Sequence, residues 1–329
     1  MKDGSPPATL PWSHPERPRL TIPVEGVISQ LANKPWLRTP VPPEIFLPLG
    51  LIAGEERRLL FYLAATYYRG RGVVCDAGAF LGASAFCLAA GLAQSALSSS
   101  PLARVLSYDL FVSDEEYVKD FIASRFPAIP DAVAADYLHI FHFQTALHAS
   151  RIEAIAGDFC RAPAPSQPVE LLFVDVAKTP ALNAHLVSQF FPRLIPGVSI
   201  LIQQDFYHAW HPYIHITMQY LKQYFVIIDG FVNSQSRVYL LSQNIPEEEL
   251  HRVARLELTL EEQLRLLNEA AAESVGPVRL MIMVAKVWQC RLAGAGKLAQ
   301  EFADEIRADA SFDPQALYAK QLVQMQPKG

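Results

Sequence analysis

The chain has 329 residues, 51% of them apolar and 19% charged, with a net charge of −5. That length holds one large α/β domain with additions or two domains, and that composition supplies a substantial core, which excludes a largely disordered chain. No Lys/Arg run marks a nucleic-acid footprint, and the four cysteines (Cys75, Cys87, Cys160, Cys290) are far apart with no C-x-x-C pair, so they read as reduced thiols rather than a disulfide frame or zinc site.

Residues 1–19 are polar and proline-rich and lack the basic-then-apolar form of a signal peptide, which with the reduced thiols sets a cytoplasmic expectation. The prolines continue through Pro40, Pro42, Pro43 and Pro48, so residues 1–50 are expected to form an irregular arm, anchored by Trp12 and Trp36 to a partner or to the chain's own core. From Gly54 to Arg69 the spacing of Leu59, Leu60, Leu63, Ala64 and Tyr67 predicts an amphipathic helix ending at Gly70. The stretch from Ala77 to Ala103 carries no charge, but its glycines, its serines and the Ser98-Ser99-Ser100-Pro101 break favour a buried helix and loop over a membrane span.

The most informative stretch is Val73-Val74-Cys75-Asp76-Ala77-Gly78-Ala79-Phe80-Leu81-Gly82-Ala83-Ser84. An apolar run ends in an acid, passes two glycines four apart and opens into an Ala/Leu-rich segment, the form of a buried parallel strand, a tight turn and a helix start. A dinucleotide fold prefers G-x-G-x-x-G with its acid about 20 residues later. Here the acid precedes the first glycine, and D-x-G-x-x-x-G resembles motif I of the class I S-adenosylmethionine-dependent methyltransferases. The resemblance implies that Asp76, Gly78, Phe80, Gly82 and Ser84 lie against S-adenosylmethionine, with the turn beneath its methionine part.

Further strands follow in order. Ala103 to Asp109 ends in an acid that, by the resemblance, accepts from the ribose hydroxyls. Residues 111–150 do not fit the plain fold. Their aromatics, Phe121, Phe126, Tyr137, Phe141 and Phe143 among them, suggest helices that serve the core, a dimer contact or a pocket cover. Ile152 to Phe159 contains Gly157-Asp158, and the resemblance places Asp158 at the adenine amino group with Phe159 stacking on the ring; Asp158 reads equally as a surface cap. Val169 to Asp175 is a clear buried strand, and Val198 to Asp205 the fifth. Tyr224 to Ile228 and Arg237 to Leu241, joined through Asn233-Ser234-Gln235-Ser236, permit an antiparallel last pair. Strands separated by helices predict a Rossmann-like, doubly wound, seven-stranded, mostly parallel α/β sheet. From Pro246 the chain turns helical and shows no chemical motif. The expected organisation is thus an arm over residues 1–50, a methyltransferase domain over 51–245 and a helical extension over 246–329.

Asp76, Asp109, Asp158, Asp175 and Asp205 all end predicted strands, so they gather on the edge where doubly wound sheets bind ligands. Asp175 and Lys178 form D-x-x-K, which resembles the metal-dependent catechol-type O-methyltransferases, where the Asp binds Mg²⁺ and the Lys is the base. Lys178 reads either so or as an ion-pair partner of Asp175. That family puts a second acid at the end of the fifth strand, where this chain has Gln203 and Gln204, with Asp205 one step later. Either a bulge restores Asp205 beside Asp175 as a metal ligand, or the metal is lost. His208, His211 and His215 could bind zinc on one helix face, but Pro212 fits a first helical turn and leaves His208 outside. His211 is an alternative base.

The glutamines and the His-rich loop also resemble the macrolide-sugar branch of small-molecule O-methyltransferases. The expectation is therefore an S-adenosylmethionine-dependent enzyme, with Mg²⁺ in question, acting on a small-molecule or sugar hydroxyl. No nucleic-acid or membrane partner is expected, and homo-oligomer formation is left open. A methyltransferase-fold scaffold without catalysis, and a nucleotide-sugar or dinucleotide enzyme on a similar sheet, remain alternatives.

Overall fold

Val73–Ala77 forms the central strand β1, buried along its whole length. The computed structural model describes residues 23–128, 135–231, 235–255 and 257–324; Trp12 and the Asn233-Ser234 part of the expected turn lie outside them. β2 (Val105–Asp109) and then β3 (Ile152–Ala156) extend the sheet on one side of β1, and β4 (Val169–Val174) and β5 (Ile200–Gln203) on the other, all parallel. β7 (Ser236–Leu241) inserts antiparallel between β5 and β6 (Phe225–Phe231), giving the order β3-β2-β1-β4-β5-β7-β6. This is the Rossmann-like seven-stranded sheet that the sequence predicts, with its antiparallel last strand.

Alternation along β4 divides the core in two. Leu171 and Phe173 point to one face, where α2 (Gly54–Tyr62), its continuing π turn Leu63–Tyr67 and α3 (Ala83–Gln94) pack. The expected irregular arm in fact contains a helix, α1 (Val24–Leu31), whose Val27 and Leu31 join that cluster together with the fully buried Trp36, so this anchor of the arm inserts into the chain's own core. Leu172 and Val174 point to the other face, against α7 (Pro212–Tyr220) and the C-terminal helices. Between β2 and β3, α4 (Glu116–Arg125) and α5 (Leu138–Thr145) build a third cluster from Phe111, Val118, Ile122, Tyr137 and Phe141 over the glycine turn. Most of the aromatic segment is therefore core, while Phe143 is exposed.

After α6 (Pro180–His185) and α7, five helices complete the chain: α8 (Glu247–Ala254), α9 (Leu260–Ala272), α10 (Gly276–Leu292), α11 (Gly296–Ala308) and α12 (Leu317–Gln324). The charged run from Glu247 to Ala272 forms two helices, because Thr259 accepts the Glu262 N–H at 3.2 Å and starts α9 afresh. Leu280, Val284, Ala303 and Tyr318 share one hydrophobic cluster with Leu172 and Leu201, so these helices are continuous with the sheet's core. Among the described residues, no helix is long and apolar enough to cross a membrane.

Two buried carboxylates tie the layers together. Glu170, within β4, accepts N–H groups from Arg69, Arg71 and Gly72 at 2.5, 2.6 and 3.2 Å, fixing the chain that leads into β1. Glu56 on α2 accepts the Ala53 N–H at 2.9 Å and the Ser236 hydroxyl, linking α2 to β7. Burial raises its pKa to about 7, against the lowering effect of those donors. A carboxyl raised on folding favours the folded state while protonated, so its contribution is full below the ordinary carboxylate pKa and is lost as pH rises through about 7. Glu56→Gln is therefore expected to melt roughly 2–5 °C above the wild type at pH 8 and level with it at pH 5. Scanning calorimetry at the two pH values checks this, and an unchanged difference between them would refute it.

Candidate functional site

The turn after β1 is a left-handed path: φ is +99° at Gly78, +45° at Phe80 and +95° at Gly82. A Cβ at Gly78 would lie 2.6 Å from the carbonyl carbon of Asp175, so the ends of β1 and β4 touch through bare backbone. A Cβ at Gly82 would meet Thr145 and Phe141 at 2.7 and 3.0 Å. Beneath the turn, the fully buried Asp76 accepts the Ser84 hydroxyl at 2.9 Å. Burial lifts the Asp76 pKa to about 7, and Ser84 only partly offsets this.

Over this turn opens a cavity of about 700 Å³, whose wall includes Gly78, Phe80, Ser84, Asp109, Asp158, Phe159, Asp175 and Lys178. Asp76 and Gly82, expected among the ligand contacts, stand behind that wall. Asp76 fixes the start of α3 through Ser84, and Gly82 admits α5.

Asp109 accepts the Phe80 N–H at 2.8 Å on one oxygen, and the Phe111 N–H at 2.7 Å and the Tyr137 hydroxyl at 3.0 Å on the other. A carboxylate has about four lone-pair sites, so little acceptor capacity remains while Tyr137 holds its bond. Asp158 accepts the Cys160 N–H at 2.9 Å, and its exposed side chain stands at the cavity wall. The ring of Phe159 is only 4% exposed; it stacks on Phe190 at 5.0 Å and meets Tyr108 and His185 edge-on. Its main contacts are thus in the core rather than with a ligand, and the exposed Leu110, next to Asp109, offers the apolar surface instead.

Lys178 Nζ hydrogen-bonds to both Asp175 and Asp205. Burial acts to lower the Lys178 pKa, but the two carboxylates outweigh it and hold the ammonium above its ordinary value. Asp175 is raised above the carboxylate range by burial, with Lys178 pulling against that rise. Asp205 reaches Lys178 because the chain, leaving β5 at Gln203, passes through φ +62° at Asp205. Asx side chains tolerate that left-handed region better than most. The acid displaced by one step in sequence is thereby restored in space.

Of the two alternatives for the metal, binding by Asp175 and Asp205 is not supported. Asp175 and Asp205 converge on the Lys178 ammonium, and among the described residues no group of three or more His, Cys, Asp or Glu is placed to hold a metal ion. Mg²⁺ is commonly held by one or two carboxylates and several waters, and here the Lys178 ammonium stands between the two carboxylates that would hold it, so the arrangement does not support the metal. His211 precedes α7, with Nδ1 2.7 Å from the Tyr213 hydroxyl and Nε2 3.9 Å from Asp205. Burial lowers its pKa to about 4, and Asp205 only partly counters this, so it is neutral near pH 7. Its ring stacks on His208 at 5.1 Å, while His215 is buried beside Phe206, so the three histidines do not share a site.

Sequence reasoning missed Gln144. Its side-chain amide on α5 accepts the Leu49 N–H at 2.6 Å and donates to the Leu49 and Leu81 carbonyls at 3.1 and 2.6 Å. This clasp brings Gly50, Leu51 and Ile52 into the cavity wall. With Leu110, Val112 and Tyr117, Leu51 gives that wall an exposed apolar rim. The aromatic segment was the available signal for a cover; a single glutamine carries none.

No family model matches the chain, and no curated protein matches it. Among solved structures, it is similar to the crystal structure of an O-methyltransferase family 2 protein from Planctomyces limnophilus in complex with apigenin, at 18% identity and a TM-score of 0.26. The likeness covers 55% of this chain and 48% of that one, so it spans about half the length of each.

Gly78→Ala combines a forbidden φ with a clash against Asp175, so it is expected to cost about 1–3 kcal/mol of stability. Denaturant unfolding measures this, and a midpoint equal to the wild type would show that the turn yields freely.

Proposed function

We propose that the chain is an S-adenosylmethionine-dependent methyltransferase acting on a hydroxyl of a small molecule or sugar. The observation that carries this reading is the single cavity that unites the glycine turn, the strand-end acids Asp109 and Asp158 and the Asp175–Lys178 pair. The strand order supports it, since the antiparallel end pair agrees with what motif I implies. When bound, the cofactor supplies an electrophilic sulfonium methyl.

In this reading Gly78, Phe80 and Ser84 bed the methionine part, Asp109 accepts from the ribose, and Asp158 and Leu110 meet the adenine. The Tyr137 hydroxyl has to yield a lone pair of Asp109 to the ribose. With the acceptor hydroxyl beside Lys178 and Asp175, the cofactor would supply the methyl that the acceptor oxygen takes, and Asp175 would receive the hydroxyl proton. A carboxylate raised toward neutrality is a suitable base. Lys178, held protonated by two carboxylates, stabilises the developing oxyanion instead of abstracting the proton. Asp205 positions Lys178. His211 does not line the cavity, so it acts through Asp205.

A non-catalytic scaffold is favoured by one observation, that three protein donors already occupy Asp109. Calorimetric titration with S-adenosylhomocysteine separates the two. Micromolar binding, weakened roughly tenfold or more in Asp109→Asn, supports the enzyme; no binding at millimolar concentration overturns it in favour of the scaffold.

Once an acceptor is found, Lys178→Ala should lower kcat about 10²–10³-fold, with Lys178→Arg retaining part of the rate. The acidic limb of the rate profile is expected below neutrality, where a raised carboxyl titrates. A limb near ~10, the ordinary lysine range, would return the base role to Lys178.

A further inference from the structure

A second cavity, of about 430 Å³, lies between the β6–β7 edge of the sheet, α7 and the end of α9. It shares no wall residue with the first. Its floor carries Arg237, whose guanidinium lies 4.4 Å from the Phe206 ring centroid and 5.5 Å from that of Tyr207. The phenols of Tyr207 and Tyr239 hydrogen-bond to it, but phenols near neutral pH bring no compensating charge. Among the described residues no carboxylate forms an ion pair with Arg237, and its buried Nε has no hydrogen-bond partner. The wall's one acid, Glu273, is already held by Lys222 at 2.5 Å and by Gln219 at 3.3 Å.

His215 provides an independent observation. It is 1% exposed, lines the same cavity, and neither of its ring nitrogens has a hydrogen-bond partner among the described residues. Burial, with Arg237 next in effect, drives its pKa down to about 3, so the ring is neutral and keeps one N–H to donate. A buried polar side chain without a partner and a largely enclosed cation without a counter-charge are each unfavourable. Both are relieved by one anion placed between them.

We propose that this cavity binds an organic anion, a carboxylate or phosphate ester on a compact apolar body, with Arg237 and His215 at the anionic head and Phe206, Phe225 and Tyr239 around the body. An inorganic ion would fill only a small part of the space, and 430 Å³ lies within the range of small-molecule sites. A guanidinium fork suits carboxylate and phosphate alike. The assignment does not depend on the methyltransferase reading, because the two cavities have separate walls.

The test is calorimetric titration of the full chain with benzoate, phenyl phosphate and inorganic phosphate. Benzoate or phenyl phosphate is expected to bind with a submillimolar Kd, about tenfold or more weaker in Arg237→Gln and unchanged in Lys178→Ala. The tighter of the two identifies the head group. Ala270→Phe narrows the cavity from α9 without touching Arg237 and should weaken binding as much, which keeps the test valid if Arg237→Gln does not fold. No binding of either aromatic anion at 10 mM (about the weakest affinity a small site would show) overturns the proposal. So does binding that survives both variants or is lost in Lys178→Ala. Inorganic phosphate binding as tightly as phenyl phosphate overturns the assignment of an apolar body.

Discussion

Five acids close five parallel strands on one edge of the sheet, and the site depends on how their repulsion is contained. Each is handled differently. Asp76 is buried, with one hydroxyl donor and a pKa raised to about 7. Asp109 collects two backbone N–H groups and a phenol. Asp158 stays exposed and caps a short turn. Asp175 and Asp205 share Lys178. The edge so becomes a graded series of environments, from the fully buried Asp76 to the exposed Asp158.

In the proposed mechanism this arrangement leaves neither of the ordinary candidates for a base, the lysine and the histidine, to take the proton. Two anions beside Lys178 favour its charged form. His211 is neutral, but its nitrogens face Tyr213 and Asp205 rather than the cavity. The raised carboxyl in the cavity wall is Asp175, bonded to Lys178.

The strands were legible because buried parallel strands leave a plain trace: apolar runs such as Val73-Val74-Cys75 and Leu171-Leu172-Phe173, each closed by an acid and separated by helical spacing. Their spatial order, with β7 between β5 and β6, came only with the fold. What the residues do at the site was less legible, because it depends on contacts distant in sequence. Nothing near Gln144 announces a bond to Leu49, 95 residues away, and nothing near Phe159 announces a stack on Phe190. The break before α9 was legible in principle, since Thr259 and Glu262 have the spacing of a capping box, but the charged run masked it. Arg237 belongs to a segment that reads as plain strand and His215 was weighed only as a zinc ligand, and only the fold brings the two together.

The turn at Asp205 separates address in the chain from address in space. Strand register carries Asp175 level with Gln204, one position before Asp205, and a comparison by register would count the charge as missing. The left-handed backbone returns it to the same neighbourhood from a different position. A site of this kind can migrate along its own sequence during divergence, since an acid lost at one strand position is replaced by another that arrives around a bend. For chains descended this way, residue-by-residue correspondence is a poor guide to retained chemistry, and the location of charge is a better one.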